Sequence, residues 1–243
     1  MSSANTHSEP NVDLDEIDKF NALAARWWDP SGEFRALHDI NPARVDYILQ
    51  RTEIDAGPAI DIGCGGGILA EAMAHHGANV TAIDKAEASL SVAKLHLLES
   101  KLNINYVDST AEAFAESHSE KFDVVTCLEM LEHVPDPASV VAACQRLVKP
   151  GGLIFFSTIN RNPKAYLFAI VGAEYILKLL PRGTHDYAKL IKPSELAAWA
   201  RQNNLELQEQ IGMGYNPLTK RYSLQNNLDV NYIAYYQKPT VTP

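Results

Sequence analysis

Residues 59–73, AIDIGCGGGILAEAM, place four glycines in the five positions 63 to 67, directly behind Asp61-Ile62. Glycine loses more conformational freedom on folding than any other residue. A chain keeps it where the backbone turns tightly or where another group must come close. AIDIG reads as a short apolar strand, and residues 68–76 are helical in composition, so the glycines form the turn of a strand–loop–helix unit. The amides of Gly63, Gly65 and Gly67, with the helix N-terminus, offer donors to a carboxylate or a phosphate.

The alternation continues downstream. NVTAID (79–84) is a second strand, residues 86–100 a long helix, INYVD (104–108) a third strand and AEAFAES a short helix. FDVVTC (122–127) is a fourth strand. Helix 137–147 ends before KPGG, whose turn leads into LIFFST (153–158), the fifth strand. Strands and helices alternating at this spacing predict a parallel sheet covered on both faces, with right-handed crossovers. LELQEQIGM (205–213) and VNYIAYYQK (230–238) predict an antiparallel pair closing the sheet edge. The expected fold is α/β: a doubly wound, Rossmann-like, seven-stranded and mostly parallel sheet with an antiparallel edge.

Upstream, residues 13–28 carry Ile17, Phe20, Leu23, Ala24 and Trp27 at helical spacing, and Trp28-Asp29-Pro30-Ser31-Gly32 breaks the helix. A second helix is expected from Pro42 to residue 50, with Asn41 as its cap. Residues 1–12 are polar and read as flexible. Residues 13–243 then form one domain, with a helical cap over 13–56 and an inserted segment over 160–192.

A formal net charge of −9 argues against a broad basic field for nucleic acid. Cys64, Cys127 and Cys144 are odd in number and far apart, and residues 1–12 lack a signal-peptide pattern, so they read as reduced thiols of a cytosolic protein. Asp84 closes the second strand 21 residues after Gly63, where a carboxylate can accept hydrogen bonds from both hydroxyls of a ribose. An adenosine-bearing ligand is the expectation, with a plain tight turn of a flavodoxin-like sheet as the alternative. Counted from Gly63 the dinucleotide pattern fails at Ile68, but Gly65-x-Gly67-x-x-Ala70 passes, so the glycines alone leave NAD open. The absence of a second nucleotide-binding half and of a Tyr-x-x-x-Lys pair at Tyr187-Ala188-Lys189 weighs against it, and no Walker A lysine is present.

DIGCGGG, the strand-two aspartate, FDVVTCLEMLEHVPDP and LVKPGGLIFFSTINRN resemble the class I methyltransferases that use S-adenosylmethionine. ARWWDPSGEFRALHDINPAR, EMLEHVPDP, VGAEYILK, RGTHDYAKLIKPSEL and VNYIAYYQK are similar to the ubiquinone-biosynthesis O-methyltransferase family, over nearly the whole chain after residue 12. The resemblance implies two methylations, of a polyprenyl catechol and of demethylubiquinol, with S-adenosylhomocysteine as product. A non-catalytic scaffold that binds the same donor is the alternative. The resemblance further implies that Arg44 meets the methionine carboxylate, Gly63 contacts the donor through its backbone, Asp84 holds the ribose and Leu128 lines the pocket. Ser109, Thr110 and Ala111 lie near the adenine by analogy with the class.

LEMLEHVPDP sets Glu129, Glu132 and His133 just beyond the fourth strand, where open α/β sheets bind ligands. A helical turn there would bring all three to one side. Three roles stay open. They can ligate Mg²⁺ or another divalent cation, which the family uses in some members. His133 or Glu129 can act as general base, since a phenol with a pKa near 10 must lose its proton to become a good nucleophile. Or the carboxylates merely favour a helix start.

Residues 165–180 are long and apolar enough for a helix of roughly 24 Å, with Glu174 and Lys178 as their only charges. The bland reading is a helix covering the core. The resemblance, whose substrate carries a polyprenyl tail, implies instead a surface for lipid and substrate. Its residues are Tyr166, Leu167, Phe168, Ile170, Val171, Tyr175, Ile176 and Leu179, with His185 as a lid or substrate wall. Peripheral attachment at the inner face of the cell membrane and contact with other ubiquinone-biosynthesis proteins follow as expectations. No run of 18 apolar residues suggests a span.

Overall fold

A computed structural model describes residues 11–55, 57–166, 186–216, 219 and 221–240. Five parallel strands form its centre: β1 (Pro58–Ile62), β2 (Asn79–Asp84), β3 (Ile104–Asp108), β4 (Phe122–Leu128) and β5 (Val148–Ile159). β6 (Glu206–Asn216), β7 (Arg221–Gln225) and β8 (Asn231–Gln237) complete the sheet in the order β3-β2-β1-β4-β5-β8-β6-β7. β8 runs antiparallel to both β5 and β6. The chain winds one way through β1, β2 and β3 and the other way through β4 and β5. The strand order therefore reverses between β1 and β4, and a crevice opens at their C-terminal ends.

The helices are α1 (Leu14–Leu23), α2 (Arg35–Leu49), α3 (Ile68–His75), α4 (Glu87–Ser100), α5 (Ala111–Ser117), α6 (Pro137–Leu147), the three-residue α7 (Pro163–Ala165) and α8 (Pro193–Gln202). Strand alternation divides the core. Ile60, Ile62, Val125, Cys127 and Phe156 pack against α5, α6 and α8. Ala59, Val80, Ala82, Val124 and Phe155 pack on the other face against α2, α3 and α4. A parallel sheet buried on both faces needs such near-continuous apolar strands.

Four expectations change. An eighth strand, β7, follows β6 in sequence and pairs antiparallel with it at the sheet edge, a hairpin arm where a plain loop was expected between the two tail strands. α2 begins at Arg35 and runs through Pro42, so Pro42 does not start it. Asn41 donates instead to the Ile68 carbonyl of α3 at 3.2 Å. The first helix is α-helical only to Leu23 and tightens into a 3₁₀ turn over Ala24–Arg26. Residues 11 and 12 are ordered: Asn11 donates to the Asp136 carbonyl and to Glu112, both at 2.8 Å. Of the inserted segment, residues 167–185 lie outside the described residues, and with them the expectations for Leu167, Phe168, Ile170, Val171, Tyr175, Ile176, Leu179 and His185.

Candidate active site

The glycine loop is shaped by the cap that lies on it. Gly63, Gly65 and Gly67 have φ of 71°, 51° and 90°, the left-handed region that side chains disfavour. A Cβ at Gly65 or Gly66 would collide with the Trp27 indole, and one at Gly67 with the Tyr106 hydroxyl. Trp27 stacks on Phe34 with centroids 3.9 Å apart, and Trp28 Nε1 donates to the Gly66 carbonyl at 3.0 Å. The loop amides are already engaged. Gly63 N–H donates to the Ile83 carbonyl at 2.9 Å, Gly65 N–H to Asp84 Oδ2 at 2.7 Å, and Gly67 N–H to the Cys64 carbonyl at 2.9 Å. The expected donation of these three amides to a bound anion is therefore corrected. The glycines let Trp27 and a ligand come close, and the amides hold the loop and Asp84 in place.

Beneath the cap lies a cavity, partly open to solvent. Arg44, Gly63, Gly65, Asp84, Ser109, Thr110, Ala111 and Leu128 all line it. They come from five separate stretches of chain that the crevice between β1 and β4 brings together. Asp84 also accepts from Ala86 N–H at 2.7 Å, so two backbone donors orient its carboxylate while burial pushes its pKa up. Asp61, which the sequence reading passed over, is 3% exposed and lines the same cavity. Its Oδ1 accepts from Thr126 Oγ1 at 2.8 Å. Burial, with the Asp84 charge added, outweighs that bond and the Arg44 guanidinium and raises Asp61 to about 7.

Glu129, Glu132 and His133 do not converge. Glu129 has a left-handed φ of 52°, which turns its side chain towards α2. There it forms a buried ion pair with Arg44 Nη2 at 2.6 Å and accepts from Ser157 Oγ at 2.7 Å. Glu132 follows within the 3₁₀ turn Leu131–His133 and points into the core. Its Oε2 accepts from Thr158 Oγ1 at 2.9 Å, its Oε1 is buried without a partner among the described residues, and burial, with the Glu129 charge added, raises its pKa to about 7. His133 faces the cavity, and its Nδ1 lies 2.9 Å from Glu16 Oε2 of α1. Burial alone would lower the imidazole pKa, but the Glu16 hydrogen bond and the charges of Glu132, Glu16 and Glu129 raise it. Among the described residues no three His, Cys, Asp or Glu side chains are placed to hold a metal. One short turn sends the three side chains expected to ligate a divalent cation to α2, to the core and to α1.

Of the inserted segment, Tyr166 is described. It is half exposed and meets Tyr187 edge to face at 5.6 Å. The 3₁₀ turn Tyr187–Lys189 is clasped to α1 by Lys189 Nζ, 2.8 Å from Asp13 Oδ2 and 3.4 Å from Glu16 Oε1. No helix among the described residues is long and apolar enough to cross a membrane. The sequence reading also missed Glu16 and the contact of Trp27 with the loop. The density of acidic residues in LDEIDKF hid the former, while four adjacent glycines beside a Trp-Trp pair were a usable signal for the latter.

A family model described as a methyltransferase domain matches residues 33–210. The ubiquinone biosynthesis O-methyltransferase of Saccharophagus degradans is 63% identical over 234 residues, 96% of this chain and 99% of that protein. The protein of the same name from Pseudomonas fluorescens is 65% identical over 223 residues, 92% of this chain and 96% of that protein. Among solved structures, magnesium protoporphyrin IX methyltransferase from Synechocystis with bound SAH superposes with a TM-score of 0.66 at 16% identity, covering 93% of this chain and 94% of that one. A SAM-dependent methyltransferase from Aquifex aeolicus gives 0.62 at 12% identity, covering 90% and 97%. At these identities the two structures speak for the fold alone.

Proposed function

This chain belongs to the ubiquinone biosynthesis O-methyltransferase family, and from that premise we propose that its cavity holds S-adenosylmethionine against a polyprenylated phenol whose proton passes to His133. The protein is an S-adenosylmethionine-dependent O-methyltransferase that carries out the two O-methylations of ubiquinone biosynthesis, on a polyprenyl catechol and on demethylubiquinol.

The residues present fit the donor. Asp84 is pre-oriented at the end of β2 to accept from ribose hydroxyls, and Arg44 keeps a buried Nε–H without a partner among the described residues. Ser109, Thr110 and Ala111 border the adenine, Leu128 forms an apolar wall, and Gly63 and Gly65 admit the ligand close to the backbone. Bound there, the donor supplies a methyl group activated by sulfonium, and S-adenosylhomocysteine remains after transfer. The chain's own task is to exclude water, align the phenol oxygen and take its proton. The neutral imidazole of His133 can do so at Nε2 while Glu16 accepts the hydrogen on Nδ1. Glu129, committed to Arg44 and Ser157, serves the donor side instead of acting as base. Among the described residues no three His, Cys, Asp or Glu side chains lie together as a cation site.

The observation that carries this reading is His133 on the wall of the same cavity as Asp84 and Arg44, with a carboxylate behind its ring. Demethylubiquinol methylation with His133→Gln is the test. Turnover is expected to fall by about 10²–10⁴-fold, and in the wild-type protein to survive a chelator. A His133→Gln protein at full rate would remove the base, and inhibition by chelator reversed by Mg²⁺ would restore the metal.

The apolar run at 165–180, with Lys164, Lys178 and Arg182 around it, supports peripheral attachment to the inner face of the membrane. The same proximity would let the lipid-soluble intermediates pass to and from other enzymes of ubiquinone biosynthesis. Flotation with anionic liposomes should carry the wild-type protein and lose one with Phe168→Glu and Ile176→Glu. Equal flotation of the two would refute the attachment.

A further inference from the structure

The carbonyls of Gly66 and Gly67 are held by one continuous circuit of residues behind the cavity. Trp28 Nε1 donates to the Gly66 carbonyl at 3.0 Å. The face of the same indole lies flat on the His96 imidazole of α4, with centroids 3.5 Å apart and planes at 2°. His96 Nδ1 in turn lies 2.8 Å from Glu71 Oε1. Glu71, in the first turn of α3, closes the circuit: its own N–H donates to the Gly67 carbonyl at 2.9 Å. Glu71 is only 3% exposed, and a buried carboxylate is costly unless it is paired. The imidazole is therefore held where Glu71 needs it, and Trp28 rests on a ring whose orientation is already set. His38 of α2 meets the indole at 5.6 Å and 63°, an edge contact, so the flat support comes from His96.

We propose that His96 is a positioning residue for the methyl donor: oriented by Glu71, it carries Trp28 so that the indole N–H fixes the Gly66 carbonyl, and with it the loop against which S-adenosylmethionine binds. The inference rests on the reading of the cavity as the donor site. His96 and Trp28 stand behind the cavity wall and not in it, so they act through the loop. The path is short. Gly65, the neighbour of Gly66, lines the cavity, and its N–H donates to Asp84 Oδ2 at 2.7 Å. A Gly66 peptide free to rotate would loosen that bond, and with it the carboxylate that accepts from the ribose. The loop glycines carry no side chains to restrict their own dihedrals. The restraint has to come from outside the loop, and the circuit through His96 supplies it.

A double-mutant cycle on the full-length protein tests this, with His96→Ala, Trp28→Phe and the pair. Trp28→Phe keeps a flat ring but removes the N–H that reaches Gly66. The readouts are kcat, the separate KM values for S-adenosylmethionine and demethylubiquinol, and calorimetric affinity for S-adenosylhomocysteine. From the worth of one aromatic stack, His96→Ala should raise the donor KM and weaken product affinity by about 3–10-fold. Its kcat and acceptor KM should stay within about twofold of wild type, a split that a general loss of stability does not produce. In the Trp28→Phe background the same change should cost less than about twofold. Wild-type donor KM and product affinity in His96→Ala, additive losses in the pair, or a fall in kcat at unchanged donor KM would overturn the proposal. Asp84→Asn with wild-type product affinity would instead sink the reading of the cavity as the donor site, so the two failures are distinct. If His96→Ala does not fold, His96→Gln keeps a hydrogen-bonding group near Glu71 and removes the ring. It should show the same donor-specific loss, and unchanged donor affinity there would count against the proposal.

Discussion

Asp61 illustrates how a single group can burden the empty enzyme. In the folded chain its carboxyl titrates at about 7, raised by burial, against about 3.9 for an exposed aspartate. The folded state therefore holds a proton that the unfolded state has released over the whole window between those values, and stability falls as pH rises through it. Above the folded value the penalty stays constant, up to about 4 kcal/mol. Asp61→Asn keeps an oxygen for the Thr126 hydroxyl and removes the charge. It should raise the ligand-free melting temperature at pH 8 by clearly more than at pH 5, and equal shifts at the two pH values would show that the buried charge is not what burdens the fold. That Gly63, Gly65, Asp84, Ser109 and Leu128 line one cavity was legible at this scale because they stand at or just beyond the ends of successive strands, which face one crevice in an α/β sheet, whereas Arg44 on α2 came from the family resemblance alone. The roles of Glu129, Glu132 and Glu16 were not. Helical spacing predicted one shared direction for 129, 132 and 133, but the left-handed φ at Glu129 breaks that geometry, and nothing local in α1 signals a partner more than a hundred residues away.

Among the elements, the glycine loop and the Trp-Trp cap define each other. Gly66 alone of the four loop glycines lies outside the left-handed region, so alanine there avoids that backbone strain, and the atoms nearest to its Cβ belong to the Trp27 ring. Gly66→Ala should destabilise the protein by about 1–3 kcal/mol through overpacking. Trp27→Ala in the same chain should absorb most of that cost by opening the space. Urea unfolding of the two single variants and the double variant checks this, and strict additivity would show that the clash is relieved elsewhere. The central strands could be read from sequence because burial on both faces demands near-continuous apolar runs. β7 could not, since RYSLQ at the sheet edge has one partner strand and little need of apolar residues. The start of α2 was misplaced because proline favours a first turn, whereas Pro42 sits inside a helix whose flanking residues Ile40, Val45 and Ile48 are anchored in the core.

At the scale of the molecule, the cap is a layer with its own cluster. Trp27, Phe34 and Ile68 pack with Phe20, Leu23, Trp28, Leu37 and Val92, separately from the two cores on either face of the sheet. Its other ties to the body include polar links, Asn21 to the Ala88 amide, Asn11 to Asp136, Lys189 to Asp13 and Glu16 to His133, and the ring contacts of Phe20 with His133 and Trp28 with His96. The exposed ones among these polar links are individually worth about 0–1 kcal/mol, and the cap is the first layer expected to open while the sheet stays folded. Yet Val12, Ile17, Phe20 and Trp27 form one wall of the cavity. A chain beginning at Arg35 retains α2 and every strand while exposing Gly65 and Gly66. It should still unfold cooperatively, at a lower temperature, and bind S-adenosylhomocysteine at least about tenfold more weakly, a loss of about 1.4 kcal/mol. Unchanged affinity would reduce the cap to a cover, and a shortened chain that cannot fold would make the cap part of the same cooperative unit as the sheet. The predicted combination, a folded body with a crippled site, requires the sheet to supply the stability and the N-terminal layer to supply the enclosure.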